Sequence, residues 1–216
     1  MKAKECLRVI TKGNKKLVNN SKVRWLIWNL PAITTCPYAT DHCKKACYAM
    51  KYQRLYRNVR EGREKNYIES LKDDFASRMI ATIEYYLNSS MYKGKLMLVR
   101  IHESGDFYSE RYALAWVEII NYFRNDNRLR FMCYTKSLEF FKDVDVNSMK
   151  NFSFIASVWD DTTESAKELI KEKGYRVYTA VSSFENTNYT QCRCSDCAHC
   201  MNCINNNVKA IACKIH

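Results

Sequence analysis

Residues 22–50 read KVRWLIWNLPAITTCPYATDHCKKACYAM. Trp25, Leu26, Ile27 and Trp28 lie at the centre of an apolar run, KVRWLIWNL, that stops at Pro31. Such a run is a buried strand, and the proline ends it because it cannot donate to a sheet ladder. Three cysteines follow directly, spaced Cys36-x6-Cys43-x3-Cys47. A loop after a strand with thiols this close together is wrapped around something. Converging thiolates bind a metal ion or an iron–sulfur cluster.

The pattern of strand, polar strand end and helix then repeats. Residues 95–102, 129–134, 152–158 and 175–181 read as further strands. Apolar positions at spacings of three and four predict a helix over 51–88. Ser109 caps another helix that runs to about Phe123, a short one follows near 138–142, and Thr163 to Lys173 forms a helix stopped by Gly174. Strand–helix alternation implies a parallel sheet with right-handed crossovers. The expected fold is α/β: an incomplete, TIM-like barrel of about five to six mainly parallel strands, too few to close a barrel of eight. The chain reads as a single domain over 1–216, with a cysteine-rich C-terminal segment at about 190–216 packed on it.

That segment holds the second thiol set. Cys194, Cys197, Cys200 and Cys203 are each separated by two residues, close to the ferredoxin run that wraps a four-iron cluster. Cys192, Cys213, His199 and His216 are spare candidates for a fourth ligand. Zinc is the alternative, because thiolates alone do not separate zinc from iron. In total nine of the eleven cysteines fall in the two sets.

Composition narrows the class. No apolar leader opens the sequence and no long apolar run occurs, so a cytoplasmic protein without a membrane partner is expected. Reduced cytosolic thiols favour metal ligation over disulfides. With 5 glycines and 2 prolines there is little material for linkers or for an all-β sandwich. A net charge of +12 suggests nucleic acid, phosphorylated ligands or an anionic cofactor.

The polar strand ends supply candidates for chemistry, since open α/β sheets bind ligands at the carboxyl ends of their strands. His102, Glu103 and Asp106 are candidate catalytic groups, joined by Lys136 from the end of the third strand. Ser104, Gly105 and Tyr134 are candidate cofactor contacts. So are Arg57 and Asn58, close after the first cysteine loop. The plainer reading of His102–Asp106 is a turn, with Asp106 as a helix cap. The plainer reading of the basic stretch Lys44–Lys65 is a solvated helix face.

The stretches LPAITTCPYATDHCKKACYA, VRIHESGDFYSERYALAW, FMCYTKS, CSDCAHC and AIACKIH together resemble the phage gene product 88 family. The resemblance covers most of the chain and implies a phage or prophage protein located in the host cytosol. It points to Cys36, Cys43, Cys47, the His102–Phe107 stretch, Tyr134–Ser137, Cys194, Cys197 and Cys200. It implies no particular reaction. A weaker similarity is to radical S-adenosylmethionine enzymes, which place a three-cysteine loop after the first strand of a partial barrel. The spacing here differs from theirs, and Ser104-Gly105-Asp106 replaces their Gly-Gly-Glu.

Two functions are expected from these observations. The first is a redox or radical-type enzyme with an open-site [4Fe-4S] cluster at Cys36, Cys43 and Cys47. A second cluster would sit in the C-terminal run, with a small-molecule substrate, an electron donor and S-adenosylmethionine as candidate partners. The alternative is a zinc-binding module that holds nucleic acid.

Overall fold

The structure is a computed structural model that describes residues 6–14, 16–185, 187–192, 197–205 and 208–214. Its centre is a seven-stranded sheet in the order β1-β2-β3-β4-β5-β7-β6. The strands are β1 (Val23–Trp28), β2 (Leu96–Ile101), β3 (Leu129–Thr135), β4 (Phe152–Val158), β5 (Arg176–Val181), β6 (Thr190–Cys192) and β7 (Ala210–Lys214). Every neighbouring pair is parallel. The sheet is open: β1 and β6 are its two edges. No helix among the described residues is long and apolar enough to cross a membrane.

The five strands expected from apolar runs are all present. The two further strands, β6 and β7, come from the cysteine-rich segment, so that segment extends the sheet. The long helix expected over 51–88 is instead three: α2 (Tyr48–Leu55), α3 (Arg57–Ser70) and α4 (Phe75–Leu87). Tyr56 breaks the first pair by taking an extended conformation at φ −121° and ψ 109°. A short α1 (Asp41–Lys45) precedes them. Helices α5 (Glu110–Tyr122), α6 (Glu164–Lys173) and α7 (Cys197–Cys200) follow, and the short helix expected near 138–142 is a 3-10 turn at Leu138–Phe141. Ser109 caps α5 by accepting from the Tyr112 amide, and Gly174 ends α6 in the left-handed region at φ 63°.

The two sheet faces are covered differently. On one face Trp28, Val99, Ile101, Phe131 and Phe154 pack against Phe75, Met79 and Ile83 of α4 and against Trp116 and Ile119 of α5. Truncating one of the buried phenylalanines or tryptophans to alanine costs about 3–5 kcal/mol, and this core contains Cys133 as its only cysteine among the described residues. The opposite face carries Val23, Trp25, Ile27, Leu98 and Met132 under Leu17, Ala198 and Ile204. The C-terminal cysteine segment therefore roofs one face of the sheet. The larger core is on the other side and does not depend on the cysteine sets.

Candidate functional site

The first thiol set sits at the carboxyl end of β1 and is held by the loop after β2. Asn29 Oδ1 accepts the amides of Glu103 and Ser104 at 2.7 and 3.1 Å. Leu30 N donates to Ser104 O, Ser104 Oγ donates to Leu30 O, and Asp106 N donates to Thr35 O. Gly105 lies at φ +82°, and a Cβ there would come within 2.7 Å of Leu30 Cβ and 2.6 Å of Thr35 Oγ1. Only glycine fits a left-handed backbone pressed this close to its neighbour. The motif Ser104-Gly105-Asp106 thus zips two loops together one residue before Cys36.

Asp106 carries the brace on to β3. Its buried carboxylate accepts from Phe107 N at 2.8 Å, Thr135 Oγ1 at 2.6 Å and Lys136 N at 2.9 Å. Burial pushes its pKa up, against the pull of those donors. Ser137 continues the network by donating through Oγ to Phe107 O. From the other side, Thr40 caps α1 by accepting Cys43 N, and Cys47 stands at the N-cap of α2. Arg63 of α3 is buried and donates to Ala49 O and Gln53 Oε1, while Gln53 accepts Ala32 N.

Cys36, Cys43 and Cys47 feel one another's charge. Burial pushes the Cys36 thiol up to about 12, and the Asp106 carboxylate adds to the rise. Burial raises Cys43 too, opposed by the positive charge of the nearby Lys136 ammonium. Lys136 Nζ also donates to Ser157 Oγ at 2.9 Å and lies 5.9 Å from the Trp159 ring centre. Tyr48, one residue past Cys47, donates its hydroxyl to Glu103 O at 2.8 Å. Burial of that hydroxyl lifts it to about 12, although the ring itself is largely exposed.

Of the residues expected at this site, Cys36, Cys43, Cys47, Asp106 and Lys136 come together. Glu103 lies at the rim, where its carboxylate accepts from Asn14 Nδ2 at 2.5 Å. Ser104 and Gly105 serve the loop brace. His102 is turned away: its φ of 63° swings the ring into the helix-side core. There Nε2 pairs with the Tyr112 hydroxyl at 2.9 Å and the ring stands edge-on to Phe107. Burial drives His102 down to about 3. Arg57 and Asn58 are also away from the thiols. Arg57 is exposed and paired with Glu61, and Asn58 Oδ1 accepts the adjacent Val59 amide. The basic residue that α3 turns inward is Arg63, one helical face removed.

The second set lies under the opposite sheet face. Cys197, Cys200 and Cys203 lie within electrostatic reach of one another, and burial lifts Cys197 to about 11. Cys194 falls outside the described residues, as does His216. Tyr134 belongs here: it is coupled electrostatically to the Cys203 thiol, and its ring carries the Arg100 guanidinium at 4.1 Å. Arg100 is buried in β2, donates to His102 O, and acts electrostatically on Tyr48 as well as on Cys197 and Cys203. Arg176 of β5 fastens the segment by donating to the carbonyls of Asn202, Cys203, Asn205 and Val208 and to Ser153 Oγ. Cys192 and Cys213 are register partners on β6 and β7, and both act on Tyr178, whose ring packs 4.5 Å from Tyr134. Arg100, Arg176 and Arg63 were not among the expected site residues. A charge inside an apolar strand, as in LMLVRI, is the signal that marks Arg100.

A tetrahedral zinc–thiolate site, with bonds of about 2.3 Å, brings its sulfurs to about 3.8 Å from one another. Among the described residues no three cysteine sulfurs lie within 4.8 Å of one another. A cluster with a separate iron for each cysteine tolerates wider spacing. The described group that does meet the tighter criterion is His42, Asp160 and Asp161, on the surface. There His42 Nδ1 and Asp160 Oδ1 already pair at 2.6 Å.

No solved structure matches the chain. A Gene 88 protein of Mycobacterium phage D29 is 26% identical over 193 residues, covering 79% of this chain and 78% of that protein. A Gene 88 protein of Mycobacterium phage L5 is 25% identical over 192 residues, with the same coverage. The family model described as Gene product 88 matches residues 8–215, which takes in both thiol sets and every strand, and the chain belongs to that phage family.

Proposed function

We propose that this protein is an iron–sulfur protein that carries out redox or radical-type chemistry at the carboxyl ends of its parallel strands. Cys36, Cys43 and Cys47 would hold one cluster, and Cys197, Cys200 and Cys203 would supply protein ligands to a second. The sheet is read as a partial barrel, because β1 to β5 follow one another in sequential order and one face carries the helices. The observation that carries the proposal is the first thiol set. Three cysteines share a loop at a strand end, within reach of one another's charge.

Three protein thiols would leave one iron of a four-iron cluster open to a small ligand, and the cluster would supply single electrons. The chain's own residues have supporting tasks. Lys136 places a positive charge on Cys43 and offsets the charge of bound thiolates. Asp106 positions the end of β3 relative to the cysteine loop. Arg100 offsets charge between the two sets and orients Tyr134. S-adenosylmethionine is one small molecule to test at the first site.

The deciding measurement is iron and acid-labile sulfide on anaerobically purified protein, with its visible absorption spectrum. Brown protein containing both elements in stoichiometric amounts is expected. Colourless protein with stoichiometric zinc and no sulfide would overturn the proposal.

A further inference from the structure

Helix α2 presents an apolar stripe to solvent. Tyr48, Tyr52 and Leu55 recur at positions i, i+4 and i+7, with Tyr56 next in line, and all four are 51–62% exposed. Ala49, Met50 and Gln53 are the residues that turn inward. A surface helix ordinarily does the opposite and hides its apolar stripe. The stripe is aromatic, with a single aliphatic member, and the rings of Tyr52 and Tyr56 lie parallel, with centroids 6.1 Å apart and planes 18° apart.

The surroundings are basic. Residues 44–60 contain Lys44, Lys45, Lys51, Arg54, Arg57 and Arg60 and no aspartate or glutamate. Among the described residues Lys51, Arg54 and Arg60 make no ion pair, while Lys44 and Arg57 are paired with Asp41 and Glu61. Lys51 and Arg54 are both exposed, and the 100° step of the helix puts Lys51 about 60° from Tyr48 and Arg54 about a further 60° round on the edge of the exposed face. Open aromatic rings interleaved with uncompensated cations are what an unpaired polynucleotide strand requires, with bases on the rings and phosphates on the cations.

We infer that the exposed face of α2 binds single-stranded nucleic acid. Bases stack on Tyr52 and Tyr56, and the backbone runs along Lys51, Arg54 and Arg60. A duplex keeps its bases stacked on one another and offers no face to these rings. A lipid surface is a poorer match, because α2 is eight residues long and offers Leu55 as its sole exposed aliphatic side chain. The inference goes beyond the iron–sulfur reading and does not rest on it. The tyrosines and cations are in place whichever metal, if any, Cys47 binds.

The test is fluorescence anisotropy with a labelled oligothymidylate, an unlabelled duplex competitor and the purified full chain. Single strands should bind with a log–log salt slope of about −0.7 for each engaged cation. Tyr52→Ala should weaken binding about tenfold or more, and Tyr52→Phe should restore it, since stacking needs the ring and not the hydroxyl. Lys51→Gln with Arg54→Gln should flatten the slope by about 1.4. These sites are exposed, and circular dichroism should show each variant folded. Three outcomes would overturn the inference. One is no binding at low salt, and another is equal affinity for duplex. The third is oligothymidylate affinity unchanged by Tyr52→Ala, including the case where that variant loses binding only to a polyglutamate peptide or to phosphatidylserine vesicles. Iron content is measured on the same samples, so loss of a metal centre is read separately from loss of binding.

Discussion

The amide of Lys136 donates to the Asp106 carboxylate at 2.9 Å, while the ammonium of the same lysine acts electrostatically on the Cys43 thiol. One residue therefore joins the β2 loop, the end of β3 and the first thiol set. Asp106 uses both oxygens as acceptors, so Asp106→Asn must place an NH2 group against a donor. The variant should lose about 1–3 kcal/mol of stability through that mismatch, measured as a shift in the urea midpoint. A group needed only for catalysis would lose turnover with the midpoint unchanged.

Cys43→Ala should remove one metal centre and leave the other, because the two thiol sets lie at different places on the sheet. Cys200→Ala should do the reverse. The helix-side core contains neither residue, so both variants should stay folded by circular dichroism. Loss of all iron from either single variant would show that the two sets form one site.

His102 provides a pH signature. The folded protein keeps its ring neutral down to about pH 3, whereas an unfolded chain protonates it near its ordinary value of 6.5. Between those values the unfolded state binds more protons, so stability falls as pH falls, by up to about 1.4 kcal/mol per unit. Asp106 works in the opposite direction, since burial raises its pKa. His102→Gln removes the histidine contribution alone. The stability difference between parent and variant should shrink from neutral pH towards about pH 4, read from denaturation midpoints at matched pH. A constant difference would mean that the ring titrates alike in the folded and unfolded chain.

Arg176→Met should release the C-terminal cysteine segment. The arginine donates to four carbonyls of residues 202–208 and to Ser153, and unsatisfied buried acceptors cost about 1–3 kcal/mol each. Faster amide exchange and protease cleavage within 197–209 are expected, with protection of α4 and α5 unchanged. Uniform loss of protection across the whole chain would refute a local role.

Much of this architecture is legible in the sequence because the sheet is buried on both faces. Parallel strands covered on both sides read as continuous apolar runs, and β1 to β5 do so. β6 and β7 escaped because TQC and AIACK are short and sit among cysteines that invite a metal-site reading. The break at Tyr56 was hidden for a related reason. The tyrosines of α2 keep helical spacing, so periodicity alone extends the helix through a residue whose backbone is extended. At the site, thiol spacing and the Asp106–Lys136 strand ends could be read from sequence. The direction of His102 could not, because it depends on a positive φ that no side-chain pattern announces. Arg63 and Arg57 illustrate the same limit: both belong to a basic helix, and only packing decides which one turns inward.

The sheet order has a consequence for assembly. β7 lies between β5 and β6, although β6 precedes it in the chain. β6 pairs with β7 alone, so Cys192 has no place on the sheet until the later strand has docked beside β5. The first thiol loop hangs instead on β1 and β2, at the opposite end of the sheet. Undocking of β7 would therefore take Cys192 and Cys213 off the sheet together and leave the strands that carry the first thiol loop paired.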